Sequence, residues 1–183
     1  MIMRLRNPSP PSAFGLQIWS HATFACPPPD GPCQRKVIHC RTVNKRMHTR
    51  CLITVIYGDY DIIPRRELWS ALRNLSTGIQ NKPWLILGDF NAVMDDSEVC
   101  GQAADTSTSM VEFRSCIWDT GLVPLPFTGC PYTWRNCSEG PRSLWKRLDR
   151  MLVNGAWLDV WPGSSYALPY RARRTTPLLF SLE

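Results

Sequence analysis

An α/β fold is predicted by three features of the chain. Cys51 to Tyr57 is a strong strand pattern, and Trp84 to Leu87 is a short run that is apolar on both faces. Between them Leu68, Trp69, Leu72, Leu75 and Ile79 recur at helical spacing behind Pro64. Strand, helix and strand in that order form a crossover unit, which sets Gly88-Asp89-Phe90-Asn91 just past the carboxyl end of a strand, where open α/β sheets bind ligands. With 183 residues, 44% hydrophobic and 20% charged, the chain can build one domain with its own core and is not composed like a disordered segment.

Residues 1–34 read as an irregular leader, because Pro27-Pro28-Pro29-Asp30-Gly31-Pro32 cannot enter a central strand, and residues 35–183 as the folded domain. Val37 to Cys40 is a strand pattern, followed by a hairpin or loop over Asn44 to Arg50. Helix is expected from Pro64, with Gly78 near its end. Ser109-Met110-Val111-Glu112 has the spacing of a capping box, with Met110, Phe113 and Ile117 as the buried stripe of a second helix stopped by Gly121. Leu122 to Cys130, with Pro124 and Pro126, reads as loop. Tyr132-Thr133-Trp134 is a short strand, and Arg147 to Val153 a longer one turned by Asn154-Gly155. Trp157 and Trp161 are expected in the core.

Charge is uneven. Before Asp59 the only acid is Asp30, against eight Lys and Arg, so this segment carries about +7 and the remainder about −1, for an overall +6. Such a surface suits a polyanion such as nucleic acid, and suits equally a solvated basic arm. No run approaches the roughly 18 apolar residues of a membrane span, and Asn7 to Pro11 stands where a signal peptide needs an apolar core. The eight cysteines then read as reduced, intracellular thiols. Cys26, Cys33 and Cys40 recur every seven residues, which is not the spacing of known zinc ribbons or fingers.

Asp89 and Asn91, two apart, would point the same way on extended chain and converge on a cation or phosphate; a plain turn explains them as well. His39 and His48 have no carboxylate at useful spacing and read as structural or surface residues. Asp149, between Arg147 and Arg150, is either an exposed ion pair or a buried acid that orients another group.

Taken in order, Tyr57 after its strand, Arg65-Arg66-Glu67-Leu68-Trp69, Pro83 to Asn91, Gly121-Leu122, Tyr132-Thr133-Trp134, and Arg147-Leu148-Asp149-Arg150 with Asn154 and Trp157 resemble the endonuclease/exonuclease/phosphatase superfamily. More narrowly, they resemble the endonuclease domain of plant LINE-type (non-LTR) retrotransposons. The resemblance runs from about Gln34 to the C-terminus. It implies a four-layered, DNase I-like α/β sandwich and magnesium-assisted attack of water on a DNA phosphodiester, leaving a nick that the element's reverse transcriptase primes from; no reverse transcriptase segment is present here. It also implies roles: Asp89 and Asn91 position the water and phosphate, Tyr57 hydrogen-bonds the phosphate, Trp134 lies at the DNA-facing wall, and Asp149 orients a catalytic histidine.

Two parts of that pattern are absent. The chain has no glutamate before Glu67, where the family carries a metal-binding Glu, and Arg174 and Thr175 stand where the family has Asp and His. No histidine follows His48. The resemblance therefore implies a partial sandwich lacking its first strands, doubtful magnesium binding with the metal ligands unknown, and a truncated, degenerate copy that is catalytically impaired. General acid–base catalysis alone contributes roughly 10²- to 10⁴-fold. Three readings stand: a pseudoenzyme that retains nucleic-acid binding, a residually active magnesium-dependent DNA endonuclease acting in the nucleus, and a phosphodiesterase or phosphatase of small substrates on the same scaffold.

Overall fold

The computed structural model describes residues 37–44, 49–79, 81–101, 107–168 and 179–181. The leader, Cys26, Cys33, His48 and the stretch containing Arg174 and Thr175 lie outside them.

A five-stranded sheet forms the centre, built from β1 (Val37–Asn44), β2 (Thr49–Tyr57), β3 (Trp84–Asp89), β9 (Asp149–Asn154) and β5 (Leu122–Pro124), in the order β1-β2-β3-β9-β5. β2 and β3 run parallel and are joined through α1 (Ile62–Ile79), so the crossover is present; β1 folds back antiparallel on β2. β3 is a central strand, and Trp84, Leu85, Ile86 and Leu87 are all buried, as expected of a strand covered on both faces.

Each face of this sheet has its own core. On one, Leu52, Ile56, Ile86 and Leu152 pack against Leu68 and Leu72 of α1 and Phe113, Cys116 and Ile117 of α2 (Ser107–Asp119). On the other, Ile53, Leu87, Met151 and Val153 pack against Trp157 and Trp161 and against Tyr166 and Leu168. Trp157 belongs to α3 (Gly155–Val160) and packs against Trp161 with ring centroids 4.4 Å apart and planes tilted by 47°. Tyr166 belongs to β10 (Ser165–Leu168), which forms a three-stranded sheet between β11 (Leu179–Ser181) and β6 (Phe127–Gly129). Helix pair, central sheet and second sheet are three layers of the expected sandwich among the described residues. A small third sheet, β4 (Val99–Cys100), β8 (Trp145–Lys146) and β7 (Trp134–Arg135), closes one end.

Two local expectations are corrected. α2 begins at Ser107, and the supposed capping residues serve the neighbouring helix: the Ser109 hydroxyl accepts from Arg65, and Glu112 pairs with Arg66 at 2.6 Å. A second bridge, Arg73 to Asp119, stands seven residues further along both helices, so α1 and α2 run in the same sense. Leu122 to Cys130 is not loop throughout, because β5 and β6 pair on either side of Leu125. Asn154-Gly155 turns the chain out of β9 and directly into α3. Asn154 caps α3 by accepting from the Trp157 N–H, and also accepts from Trp84 N–H and donates to the Lys82 carbonyl, tying the start of β3 to the end of β9.

Candidate phosphate-binding site at the carboxyl end of β3

The site is a row across three strands. In the parallel β2–β3 pair Tyr57 stands opposite Asp89, and in the antiparallel β3–β9 pair Asp89 stands opposite Asp149. Strand alternation puts all three side chains on the face that carries Ile53, Leu87 and Met151. Three residues picked from distant parts of the sequence therefore become neighbours through register alone. Tyr57 is exposed, while Asp89 and Asp149 are half-buried.

Two glycines permit this edge. Gly88 has φ +134°, and a Cβ there would sit 2.0 Å from the Ile56 carbonyl oxygen; at Gly58 it would sit 2.3 Å from that of Phe90. β2 and the loop after β3 can approach closely only because neither position carries a side chain, and the Gly58 N–H donates to the Asp89 carbonyl at 2.5 Å.

Phe90 turns the other way, fully buried against Trp69 and Phe113 with ring centroids at 6.5 and 5.3 Å, and anchors the loop. Asn91 is not on extended chain. Its φ is +48°, in the left-handed region that asparagine tolerates, and its N–H donates to Asp89 Oδ1 at 2.8 Å. Asp89 and Asn91 are thus brought together by a side-chain turn. The turn expectation is met here, and the extended-chain convergence is not. The Asn91 amide donates to the Gly58 carbonyl at 3.4 Å, and Arg65 Nη1 donates to the Asn91 carbonyl.

Burial pushes the Asp89 carboxyl above the usual carboxylate range, against the lowering effect of the Asn91 N–H and Arg150. Asp149 is pushed up to about 6, first by burial and then by the charge of Asp89, against a hydrogen bond from the Thr133 hydroxyl and the charge of Arg150. Thr133, buried beside β7, accepts from the N–H groups of Leu148 and Asp149 at 2.9 and 3.0 Å. Asp149 is half-buried, and the exposed ion pair with its flanking arginines is not formed.

The flanking arginines turn to Glu98 instead. Arg150 is wholly buried on the opposite face of β9, donates to both Glu98 carboxylate oxygens at 2.8 and 2.9 Å and to the Ala92 and Arg147 carbonyls, and lies 5.1 Å from the Phe113 ring centroid. Arg147 reaches Glu98 at 3.7 Å and donates to the Tyr166 hydroxyl. This clasp fixes the 92–98 loop that leads away from Asn91. Sequence reasoning missed it, because nothing local pairs Glu98 with residues about fifty positions later. Trp134 is exposed at the small sheet, opposite Lys146. His39 lies on β1, its Nδ1 2.8 Å from the Thr54 hydroxyl, and serves the sheet as expected.

Among the described residues no group of three or more His, Cys, Asp and Glu side chains could hold a metal ion. The row offers two carboxylates and the neighbouring Asn91 amide. Oxygen donors of this kind fit magnesium in type, since that ion takes one or two carboxylates and fills its octahedron with water and substrate phosphate. A cation between them would offset the burial of both carboxyls and the charge that Asp89 places on Asp149.

The same shape recurs in solved structures. The endonuclease domain of TRAS1, a telomere-specific non-LTR retrotransposon, matches with a TM-score of 0.61 at 14% identity over 81% of this chain and 64% of that one. AP endonuclease LMAP from Leishmania major matches with 0.56 at 15% identity over 80% of this chain and 54% of that one. A conserved protein of unknown function from Enterococcus faecalis V583 matches with 0.50 at 14% identity over 85% and 59%. The chain thus spans less than two thirds of the length of each of these three, and the likeness establishes a DNase I-like α/β fold. No curated protein matches it by sequence. The sequence profile of the endonuclease/exonuclease/phosphatase family, in contrast, matches residues 6–172, nearly the whole chain, and the protein belongs to that family.

Proposed function

We propose that this chain is an endonuclease-like domain of retrotransposon origin that holds a nucleic-acid phosphodiester at the Tyr57–Asp89–Asp149 row and is impaired in turning it over. The observation that carries the reading is the row itself, with Asn91 bound to Asp89 beside it.

Each residue then has a task. The Tyr57 hydroxyl, exposed at the rim, donates to a phosphate oxygen. The Asn91 amide, held by its contact with the Gly58 carbonyl, presents a neutral dipole to the same group. Asp89 and Asp149, with a substrate oxygen, would hold magnesium, which supplies neutralisation of the phosphate charge when bound. Among the described residues no histidine stands in the row to transfer a proton. His39 is committed to Thr54 in the sheet, and no histidine follows His48 in the sequence. Asp149 has the place of an orienting acid, with no histidine ring beside it among the described residues.

The test is nicking of supercoiled plasmid in magnesium, beside EDTA and Asp89→Ala controls, with folding checked by circular dichroism. The reading expects nicking at or near the level of the controls. Nicking that requires metal and disappears in Asp89→Ala makes the protein an active endonuclease and overturns the impairment.

A further inference from the structure

The loop that leaves the site is held from the far face of the sheet. Once the Asn91 N–H has closed the turn onto Asp89, the next two carbonyls each end on an arginine: Arg65 Nη1 donates to that of Asn91, and Arg150 Nη2 to that of Ala92 at 2.9 Å. Arg65 comes from the first turn of α1, and Arg150 from β9, opposite Gly88. Asn91 has φ +48°, a conformation that a residue other than glycine keeps only where its surroundings fix it. Phe90 is sealed in the core before it, and Ala92 and Val93 are buried after it.

Arg150 reaches Ala92 because Glu98 holds it. Its Nη1 donates to Glu98 Oε1 at 2.8 Å and its Nη2 to Oε2 at 2.9 Å. Glu98 also closes the loop on itself: Oε2 accepts from the Met94 N–H at 2.7 Å, and the Glu98 carbonyl accepts from the Arg147 N–H at 3.0 Å. A planar guanidinium can meet both oxygens of a carboxylate and still present a donor to a carbonyl, in one fixed geometry. Stability alone does not call for such a pair, since a buried ion pair is often matched or bettered by apolar residues of similar volume. What apolar residues cannot do is bond the Ala92 carbonyl.

We propose that Arg150, locked by Glu98, is a positioning residue of the site: through the Ala92 carbonyl it keeps Asn91 in the left-handed turn that sets the Asn91 amide beside Asp89 for a backbone phosphate. Its own side chain lies on the opposite face of β9 and meets no substrate. For what Asn91 binds, the inference rests on the function proposed above. The positioning itself is a property of the loop and can be read without nucleic acid.

The test replaces the clasp without emptying its place. Glu98→Leu combined with Arg150→Met fills the buried space with apolar side chains and removes the bond to Ala92. Hydrogen exchange of the Asn91 N–H is followed by NMR against the Leu87 and Leu152 N–H groups of β3 and β9, and the affinity for a short fluorescent DNA duplex in magnesium is measured alongside. In the double variant Asn91 should exchange about tenfold faster relative to Leu87 and Leu152. Duplex affinity should fall about fivefold as the amide loses its set direction. Arg150→Lys, which keeps the charge and loses the planar fork, should move Asn91 the same way by less, and it carries the test if the double variant does not fold. Exchange at Asn91 unchanged relative to Leu87 and Leu152, or a uniform rise at all three that reports lost stability alone, overturns the positioning role. Faster exchange at Asn91 with unaltered affinity overturns its service to a phosphate. Absence of duplex binding by the unsubstituted chain overturns the proposed function, and the exchange rates still decide the positioning.

Discussion

Asp89 and Asp149 face each other across the β3–β9 pair, two half-buried carboxylates on one face of a sheet, with Arg150 of the intervening strand position turned to the other face and bound to Glu98. The pair is costly to the fold when both groups are ionised, and valuable to a cation or to a phosphate that arrives with one.

That cost has a sign. Both carboxyls are raised in the folded chain, Asp149 to about 6, so the folded state binds protons more tightly than the unfolded one. Stability contributed in this way is present at low pH and is lost as pH rises through about 6. Urea unfolding should show a loss of about 2 kcal/mol between about pH 5 and pH 7.5 in metal-free buffer. Asp149→Asn should flatten that slope and stabilise the protein at the higher pH. A parallel slope in the variant would place the titrating group elsewhere.

Glu98 is the acid on which the buried Arg150 depends. Glu98→Gln should cost about 3 kcal/mol, because a buried guanidinium loses its partner. Glu98→Leu combined with Arg150→Met should recover most of that loss, since an apolar pair needs no compensation. Chemical denaturation of the single and double variants measures the coupling; additive losses would mean the clasp is not one unit.

Gly88→Ala should destabilise by about 3 kcal/mol, from a left-handed φ and a Cβ driven onto the Ile56 carbonyl. Gly121→Ala, at φ +63° with nothing within 4 Å of the new Cβ, should cost only about 1 kcal/mol. Equal losses would show that close approach of β2 and β3 is not what Gly88 provides.

Asn154 unites three contacts in one amide, accepting from Trp84 and Trp157 and donating to Lys82. Asn154→Ala should cost about 2 kcal/mol, more than loss of a helix cap alone. Asn154→Asp keeps both acceptor contacts and should lose about 1 kcal/mol. Thermal unfolding of the two variants distinguishes a cap from a tie between strands.

The parts of this fold that follow local periodicity were legible in the sequence. β2, α1 and β3 announce themselves because strand alternation and a helical stripe need only neighbouring residues. What depends on partners far along the chain was not legible. Ser109 and Glu112 look like a capping box until α1 brings Arg65 and Arg66 against them. Asn154-Gly155 looks like a plain turn until β3 presents Trp84 to the asparagine. The site divides in the same way. Asp89 and Asn91 could be picked from a strand ending in glycine, and Tyr57 and Asp149 from the resemblance, but their alignment in one row is a property of sheet register. Arg150, Glu98 and Thr133 support that row through contacts that no local pattern records.

The most direct test of the row as a phosphodiester site is duplex DNA affinity with magnesium and with EDTA, compared between the unsubstituted chain and Asp89→Asn. In EDTA the two carboxylates repel the phosphate, so Asp89→Asn should bind more tightly than the unsubstituted chain. Magnesium should tighten the unsubstituted chain, and the variant should lose most of that gain. An equal response of both proteins to magnesium, with no difference in EDTA, would contradict the assignment and put nucleic acid somewhere other than the end of β3.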